Sequence, residues 1–146
     1  MSYTIALPGQ VDILTNVFML ALCIYREARG EADDARLAVG CSIRNRVQRP
    51  GWYGKDWFSI ITKPWQFSSF NKGEVNSIVF GAPSDKAWIR CVEIAVEVMQ
   101  GAPDPTGGAT YYYDKSLDAN PPKWAEEYVH TADVGAFHFY KPKLGI

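Results

Sequence analysis

The sequence lacks several features that mark common protein classes. Its net charge of −1 leaves no basic excess, so we expect no nucleic-acid partner. Its first apolar run, residues 17–25, is far shorter than the ~20 residues that span a bilayer. Residues 1–10 contain no Lys or Arg, unlike the start of a secretory signal. The sequence therefore predicts synthesis in the cytoplasm without a signal peptide, and no association with membranes.

Histidine and cysteine are also scarce. The two histidines, His130 and His138, are fewer than the three protein ligands that a catalytic zinc ion usually has. We therefore expect no metal or other cofactor, and a zinc-dependent amidase is disfavoured. Cys23, Cys41 and Cys91 lie among apolar residues in helix-like stretches, where free cysteine is usually buried. Buried thiols also disfavour a cysteine peptidase.

The 146 residues are enough for one domain, and we predict a single catalytic domain over residues 1–146 with a lead-in over residues 1–10. Apolar spacing predicts a helix from Asp12 towards Gly30 and a second over 33–47, the latter with Arg36, Arg44 and Arg46 facing outward. A third helix follows Ser84 as its cap and ends before Gly101. Residues 50–83 are interrupted by Pro and Gly, which predicts loops.

Two short segments near the C-terminus have the composition of β-strands. Residues 109–113 and 136–140 are rich in aromatic side chains. A turn-forming run precedes the first of them, and we expect Gly107 and Gly108 to supply positive-φ backbone for a tight turn there. In a strand, Tyr112 would face away from Tyr111 and Tyr113. The overall prediction is an α+β fold that is mainly helical and carries a small antiparallel sheet.

The densest polar segment is 25–31, at the end of the first predicted helix. Helical spacing places Glu27 on one face with Cys23 and, if the helix continues, with Glu31. An apolar neighbour on one side and a like charge on the other both favour the protonated carboxyl group. Glu27 is therefore a candidate general acid.

Four segments, in order, resemble one known family. Residues 25–31, followed by 38–39 and 43–47, resemble the opening signature of the spore cortex-lytic (SleB-like) cell-wall hydrolases. Residues 66–68, Gln-Phe-Ser, resemble the family's central motif, and residues 104–109 with 111–113 resemble its Asp-Pro-Thr-Gly-Gly-Ala turn and aromatic strand. Gly135, His138, Phe139 and Tyr140 resemble its closing residues. The resemblance covers residues 17–141 and implies a lysozyme-like domain. From the length of 146 residues we expect no separate wall-binding module.

The resemblance implies an enzyme that cuts peptidoglycan glycan strands between N-acetylmuramic acid and N-acetylglucosamine, as a lytic transglycosylase. We expect it to be a monomer. Glu27 is then the catalytic acid. The candidate substrate-binding residues are Gln66, Phe67, Ser68, Tyr111, Tyr112, Tyr113 and His138.

Two alternatives remain open. A hydrolytic muramidase would use Glu31 as a second carboxylate beside Glu27, since such enzymes generally need two. A non-catalytic glycan-binding domain would keep the fold and lose the chemistry. The short chain without an export signal also suggests a phage or prophage endolysin that reaches the wall after release.

Overall fold

The structure is a computed structural model that describes residues 8–49, 53–63, 67 and 81–143. The described residues form four α-helices, two short 3₁₀ segments and three β-strands. The helices are α1 (Pro8–Ala28), α2 (Asp33–Val47), α3 (Trp57–Thr62) and α4 (Lys86–Met99). The 3₁₀ segments are Lys115–Leu117 and Lys123–Glu126, and the strands are β1 (Tyr111–Asp114), β2 (Val129–Val134) and β3 (Phe137–Lys141). The predicted α+β class, the helical weight and the small antiparallel sheet are confirmed.

Side-chain capping explains where two of the four described helices begin, α3 and α4. The α2 boundaries agree with the prediction, whereas α4 is capped by the carboxylate of Asp85 and not by Ser84. The predicted lead-in is wrong for residues 8–10, because α1 already begins at Pro8. Proline is favoured in the first turn of a helix, where its missing N–H costs nothing. Helix α3 was not predicted; Asp56 and Ser59 form a capping box at its start.

The core lies where α1, α2 and α4 meet the sheet. Its buried members include Leu20, Ile24, Val39, Ile43, Ile94, Val98 and Phe139. Gly40 lets α2 approach α4 and α1 closely, because a Cβ there would lie 2.9 Å from a methyl group of Val98 and 3.1 Å from a methyl group of Ile24. Cys23, Cys41 and Cys91 are free and buried in this core, as predicted. Among the described helices, none is long and apolar enough to cross a membrane.

The sheet is antiparallel, with β3 between β1 and β2. Its inner face packs on the helices with Phe137 and Phe139, which are buried. Strand β2 was not predicted, because its alternation is broken by a bulge: His130 pairs with Tyr140 and Ala132 with Phe139, so Thr131 has no partner on β3.

Candidate active site

Glu27 lies in the last turn of α1, one residue before the helix ends. Its Oε1 atom accepts a 2.6 Å hydrogen bond from the hydroxyl group of Tyr112, which comes from β1. The Tyr112 ring packs against Phe137 and Phe139, so it belongs to the inner face of the sheet. The fold thus holds the carboxyl group at the end of α1 against strand β1, on the inner face of the sheet.

The surroundings of Glu27 favour its protonated form. Burial raises the pKa of Glu27 above its ordinary value, although the hydrogen bond from Tyr112 and the charge of Arg46 both lower it. Burial also raises the pKa of Tyr112 well above its ordinary range, and the neighbouring Glu27 adds to this. Tyr112 therefore stays a hydrogen-bond donor while Glu27 gains or loses its proton.

Arg46 contradicts the prediction that it faces outward, because only 4% of it is exposed. Its Nε atom donates a 2.6 Å hydrogen bond to the carbonyl oxygen of Thr110. Its guanidinium carbon lies 5.1–5.3 Å from the ring centroids of Tyr53, Phe67 and Tyr111. These rings cover the cation, since aromatic faces attract positive charge, and the hydrogen bond satisfies part of the guanidinium group.

The spacing of α2 contained a signal for this burial. Arg46 follows Ile43 by three residues and Val39 by seven, which places it on the same helix face as two buried residues. Its charge suggested an outward position, and the aromatic residues that cover Arg46 all lie outside α2. Arg46 is thus a buried positive charge near Glu27 that the sequence analysis missed.

Glu31 lies beyond the end of α1 and is bound to the turn between β2 and β3. Its Oε1 atom accepts a 2.9 Å hydrogen bond from the backbone N–H of Ala136. In the same turn, Gly135 has a φ of +54°, and a Cβ there would lie 2.8 Å from that of Ala35. The hydrogen bond of Glu31 therefore links the β2–β3 turn to the segment between α1 and α2. A role as second carboxylate stays a prediction.

The other candidate substrate-binding residues divide between two places. Tyr111 and Tyr113 face away from Tyr112, as predicted, and both pack against Trp124 on the outer face of the sheet. His138 pairs with Tyr113 across the strands and lies on that same outer face.

The central motif is only partly described. Phe67 is buried under Arg46, with 2% of it exposed. Gln66 and Ser68 lie outside the described residues. Of the substrate-binding candidates that the structure describes, Tyr112 is the one that contacts Glu27, and the roles of the others in binding stay predictions.

The turn before β1 is held by one carboxylate. Asp104 Oδ1 accepts hydrogen bonds from the backbone and the hydroxyl group of Thr106, and Oδ2 accepts from Gly108 N–H and from Asn45 of α2. Gly107 and Gly108 have φ values of 69° and 85°, in the region that the sequence predicted for them. This network fixes where β1 begins, and hence where Tyr112 meets Glu27.

The outer face carries a second polar cluster that the sequence analysis missed. Asp133 Oδ1 lies 2.7 Å from His130 Nε2 and 2.5 Å from His138 Nδ1. The other ring nitrogen of His138 lies 2.8 Å from Asp118 Oδ1. The hydrogen bonds from His138 to Asp133 and Asp118 raise the pKa of its imidazole group.

Residues 30–140 match the family described as Cell Wall Hydrolase. The chain belongs to this family. The matched range begins three residues after Glu27, so the match does not itself address that residue.

Curated relatives and solved structures agree with this membership. The chain is 28% identical over 99 residues to the spore cortex-lytic enzyme of Halalkalibacterium halodurans and 26% identical over 109 residues to that of Bacillus subtilis. These alignments cover 68% and 75% of the chain, but only 27% and 32% of the relatives. The chain thus spans about a third or less of the length of the curated relatives it matches.

Two solved structures share the fold. The catalytic domain of the germination-specific lytic transglycosylase SleB from Bacillus anthracis superposes with a TM-score of 0.69 and 25% identity, covering 86% of this chain and 93% of that one. The catalytic domain of the Bacillus cereus SleB protein gives 0.70 and 23%, covering 88% and 91%. The second likeness concerns the fold alone.

Proposed function

We propose that this cell-wall hydrolase family member cleaves the glycan strands of peptidoglycan between N-acetylmuramic acid and N-acetylglucosamine, as a lytic transglycosylase. The observation that carries the proposal is the carboxyl group of Glu27 at the end of α1, whose pKa is raised by burial and whose Oε1 atom accepts a hydrogen bond from Tyr112. The similar catalytic domain from Bacillus anthracis belongs to a lytic transglycosylase, which supports the type of reaction.

The reaction needs one group that first gives and then takes a proton. With Oε1 bound to Tyr112, Oε2 is the oxygen that protonates the glycosidic oxygen as the bond from C1 of the muramic residue breaks. The carboxylate left behind then takes the proton of the muramic 6-hydroxyl group, whose oxygen forms a new bond to C1. The nucleophile belongs to the substrate, so its attack is intramolecular and benefits from proximity.

Tyr112 and Arg46 support the second half of this cycle. Once Glu27 has given up its proton, the hydroxyl group of Tyr112 donates to the resulting carboxylate, and the positive charge of Arg46 stabilises it. Burial acts in the opposite direction: it raises the pKa of Glu27 and so favours the return of a proton to the carboxylate. These opposing influences suit a carboxyl group that acts as acid and then as base.

Hydrolysis is the alternative reaction, and Glu31 is the carboxylate that the sequence offers for it. A hydrolase generally needs the second carboxylate to act as nucleophile or to activate water. The hydrogen bond from Ala136 N–H to Glu31 Oε1 gives this side chain a structural task instead, which favours transglycosylation.

Mass spectrometry of the released muropeptides tests the proposal. Purified peptidoglycan is digested with the native protein, with Glu27→Gln and with Glu31→Gln as the matched control. We expect 1,6-anhydromuramic ends from the native protein and from Glu31→Gln, and no fragments from Glu27→Gln. Reducing muramic ends would instead indicate a muramidase, and sedimentation with the wall without any fragments would indicate a binding domain.

The biological setting stays a separate prediction. An endolysin is expected to cleave vegetative cell walls, whereas the curated relatives are named spore cortex-lytic enzymes. Digesting purified vegetative walls and purified spore cortex side by side distinguishes the two, and cleavage confined to cortex would contradict the endolysin prediction.

A further inference from the structure

Both histidines of the chain lie in the outer-face cluster. His130 comes from β2 and His138 from β3, and Asp133 lies opposite His138 in the strand register. Each of these three residues offers one possible metal-ligand atom, a ring nitrogen or a carboxylate oxygen, and the three atoms lie within 4.8 Å of one another. Two imidazole nitrogens and one carboxylate oxygen make a donor set that suits zinc and its neighbours among the transition metals, whereas Mg²⁺ and Ca²⁺ prefer oxygen alone.

The bulge in β2 is what brings this donor set together. His130 and Asp133 are three residues apart, and in a regular strand such residues point to opposite faces of the sheet. Thr131 is the extra residue that restores them to one face, since His130 pairs with Tyr140 and Ala132 with Phe139. The bulge has a cost, because the hydroxyl group of Thr131 is buried without a hydrogen-bond partner among the described residues.

Asp118 completes the arrangement from the segment after β1. Its Oδ1 atom lies 2.8 Å from Nε2 of His138, while Asp133 contacts Nδ1 on the other side of the ring. With a metal ion on Nδ1, the ring proton would be on Nε2 and would be donated to Asp118. Histidines that bind metals usually have this kind of partner, which fixes the ring and its tautomer. The carboxylate of Asp118 therefore orients a ligand without being one.

We propose that His130 Nε2, Asp133 and His138 Nδ1 bind a Zn²⁺ ion on the outer face of the sheet, with Asp118 orienting His138. Water completes the usual four-coordinate shell. A small movement of the Asp133 side chain admits the ion, because its carboxylate now contacts both rings and is 47% exposed.

This site is separate from the proposed catalytic carboxyl group. His138 and Tyr113 share the outer face, whereas Tyr112 and Glu27 meet on the inner face. The ion would link β2 to β3 next to the turn that Glu31 fastens to the helices. The site does not depend on the proposed glycan cleavage, and either can fail without the other.

Zinc titration of the whole chain tests the proposal. Calorimetry with Zn²⁺ should show one saturable site per chain, and Mg²⁺ under the same conditions should show none. A long-range ¹H–¹⁵N spectrum of the two histidine rings should show Zn²⁺ on Nε2 of His130 and on Nδ1 of His138. The melting temperature should rise with the Zn²⁺ concentration, as it does for any ligand that binds the folded state only.

Variants separate this site from other sources of zinc binding. His130→Ala should abolish saturable binding and remain folded, because its side chain is 47% exposed. Asp118→Asn should weaken binding about 10–100-fold, the effect expected of a group that orients a ligand. Glu27→Gln should bind Zn²⁺ like the native chain, which keeps the site distinct from the proposed reaction.

Two results would overturn the proposal. One is the absence of saturable Zn²⁺ binding by the folded native chain. The other is binding that persists unchanged in His130→Ala, which would assign it to other groups, such as the three cysteines that this variant retains.

Discussion

Replacing Tyr112 by Phe removes one hydroxyl group and leaves the ring in place. The ring centroid lies 5.2 Å from that of Phe137 and 5.6 Å from that of Phe139, so the packing of the inner face is retained. The loss is confined to the 2.6 Å hydrogen bond to Glu27 Oε1. Any effect of the variant on pH dependence therefore reports on that bond.

The size of the effect depends on the charge of Glu27. A hydrogen bond to a charged group contributes about 1.5–3 kcal/mol to stability, and one between neutral groups about 0.5–1.5 kcal/mol. Tyr112→Phe should therefore lower the free energy of unfolding more at a pH where Glu27 is ionised than where it is protonated. Because the bond lowers the pKa of Glu27, its loss raises that pKa further.

Two assays follow this variant. Urea unfolding at an acidic and an alkaline pH measures the two stability losses. The rate of muropeptide release, measured against pH, locates the alkaline limb of the pH–rate profile, where activity falls as the pH rises. The limb marks the loss of the acid's proton, so it should move to higher pH in Tyr112→Phe. Tyr113→Phe, on the outer face, should leave its position unchanged. Equal stability losses at both pH values, together with an unmoved limb, would refute the reasoning.

Three further variants test the surroundings of the site. Because burial raises the pKa of Glu27, the stability that its protonated form confers is lost as the pH rises through that pKa. The melting temperature of Glu27→Gln, measured against pH, should therefore rise relative to that of the native protein as the pH increases. Parallel curves for the two proteins would contradict this. Gly135→Ala should lower the free energy of unfolding by about 1–3 kcal/mol more than Gly108→Ala. Both glycines have a positive φ, but only the Cβ added at Gly135 would contact Ala35. Equal losses of stability in urea unfolding would exclude this steric contact. Arg46→Lys keeps the charge but loses the planar group packed among aromatic rings, and should cost about 1–3 kcal/mol in the same assay; an unchanged midpoint would contradict this.

Features set by local sequence were the ones that could be predicted. The boundaries of α2 follow from its apolar spacing, and the positive φ values of Gly107 and Gly108 follow from the turn composition before β1. The opposite orientations of Tyr112 and its neighbours follow from strand geometry. For Glu27, apolar neighbours on its own helix were enough to indicate the direction of the pKa shift, and the structure agrees.

Features set by distant contacts could not be predicted in the same way. The hydroxyl group that binds Glu27 comes from a residue 85 positions away, and the rings that cover Arg46 come from three separate segments. Strand β2 was missed because its bulge breaks the alternation by which strands are recognised. The same bulge conceals the meeting of His130 and Asp133, which a regular strand would keep apart.

The most direct test of the central claim compares peptidoglycan solubilisation by the native protein and by Glu27→Gln at equal concentrations of folded protein. Circular dichroism and the melting temperature establish that both are folded. We expect Glu27→Gln to be slower by about 10²–10⁴-fold, the contribution typical of a general acid, because its amide can accept the bond from Tyr112 but cannot deliver a proton. Solubilisation at the native rate by this variant would contradict the claim.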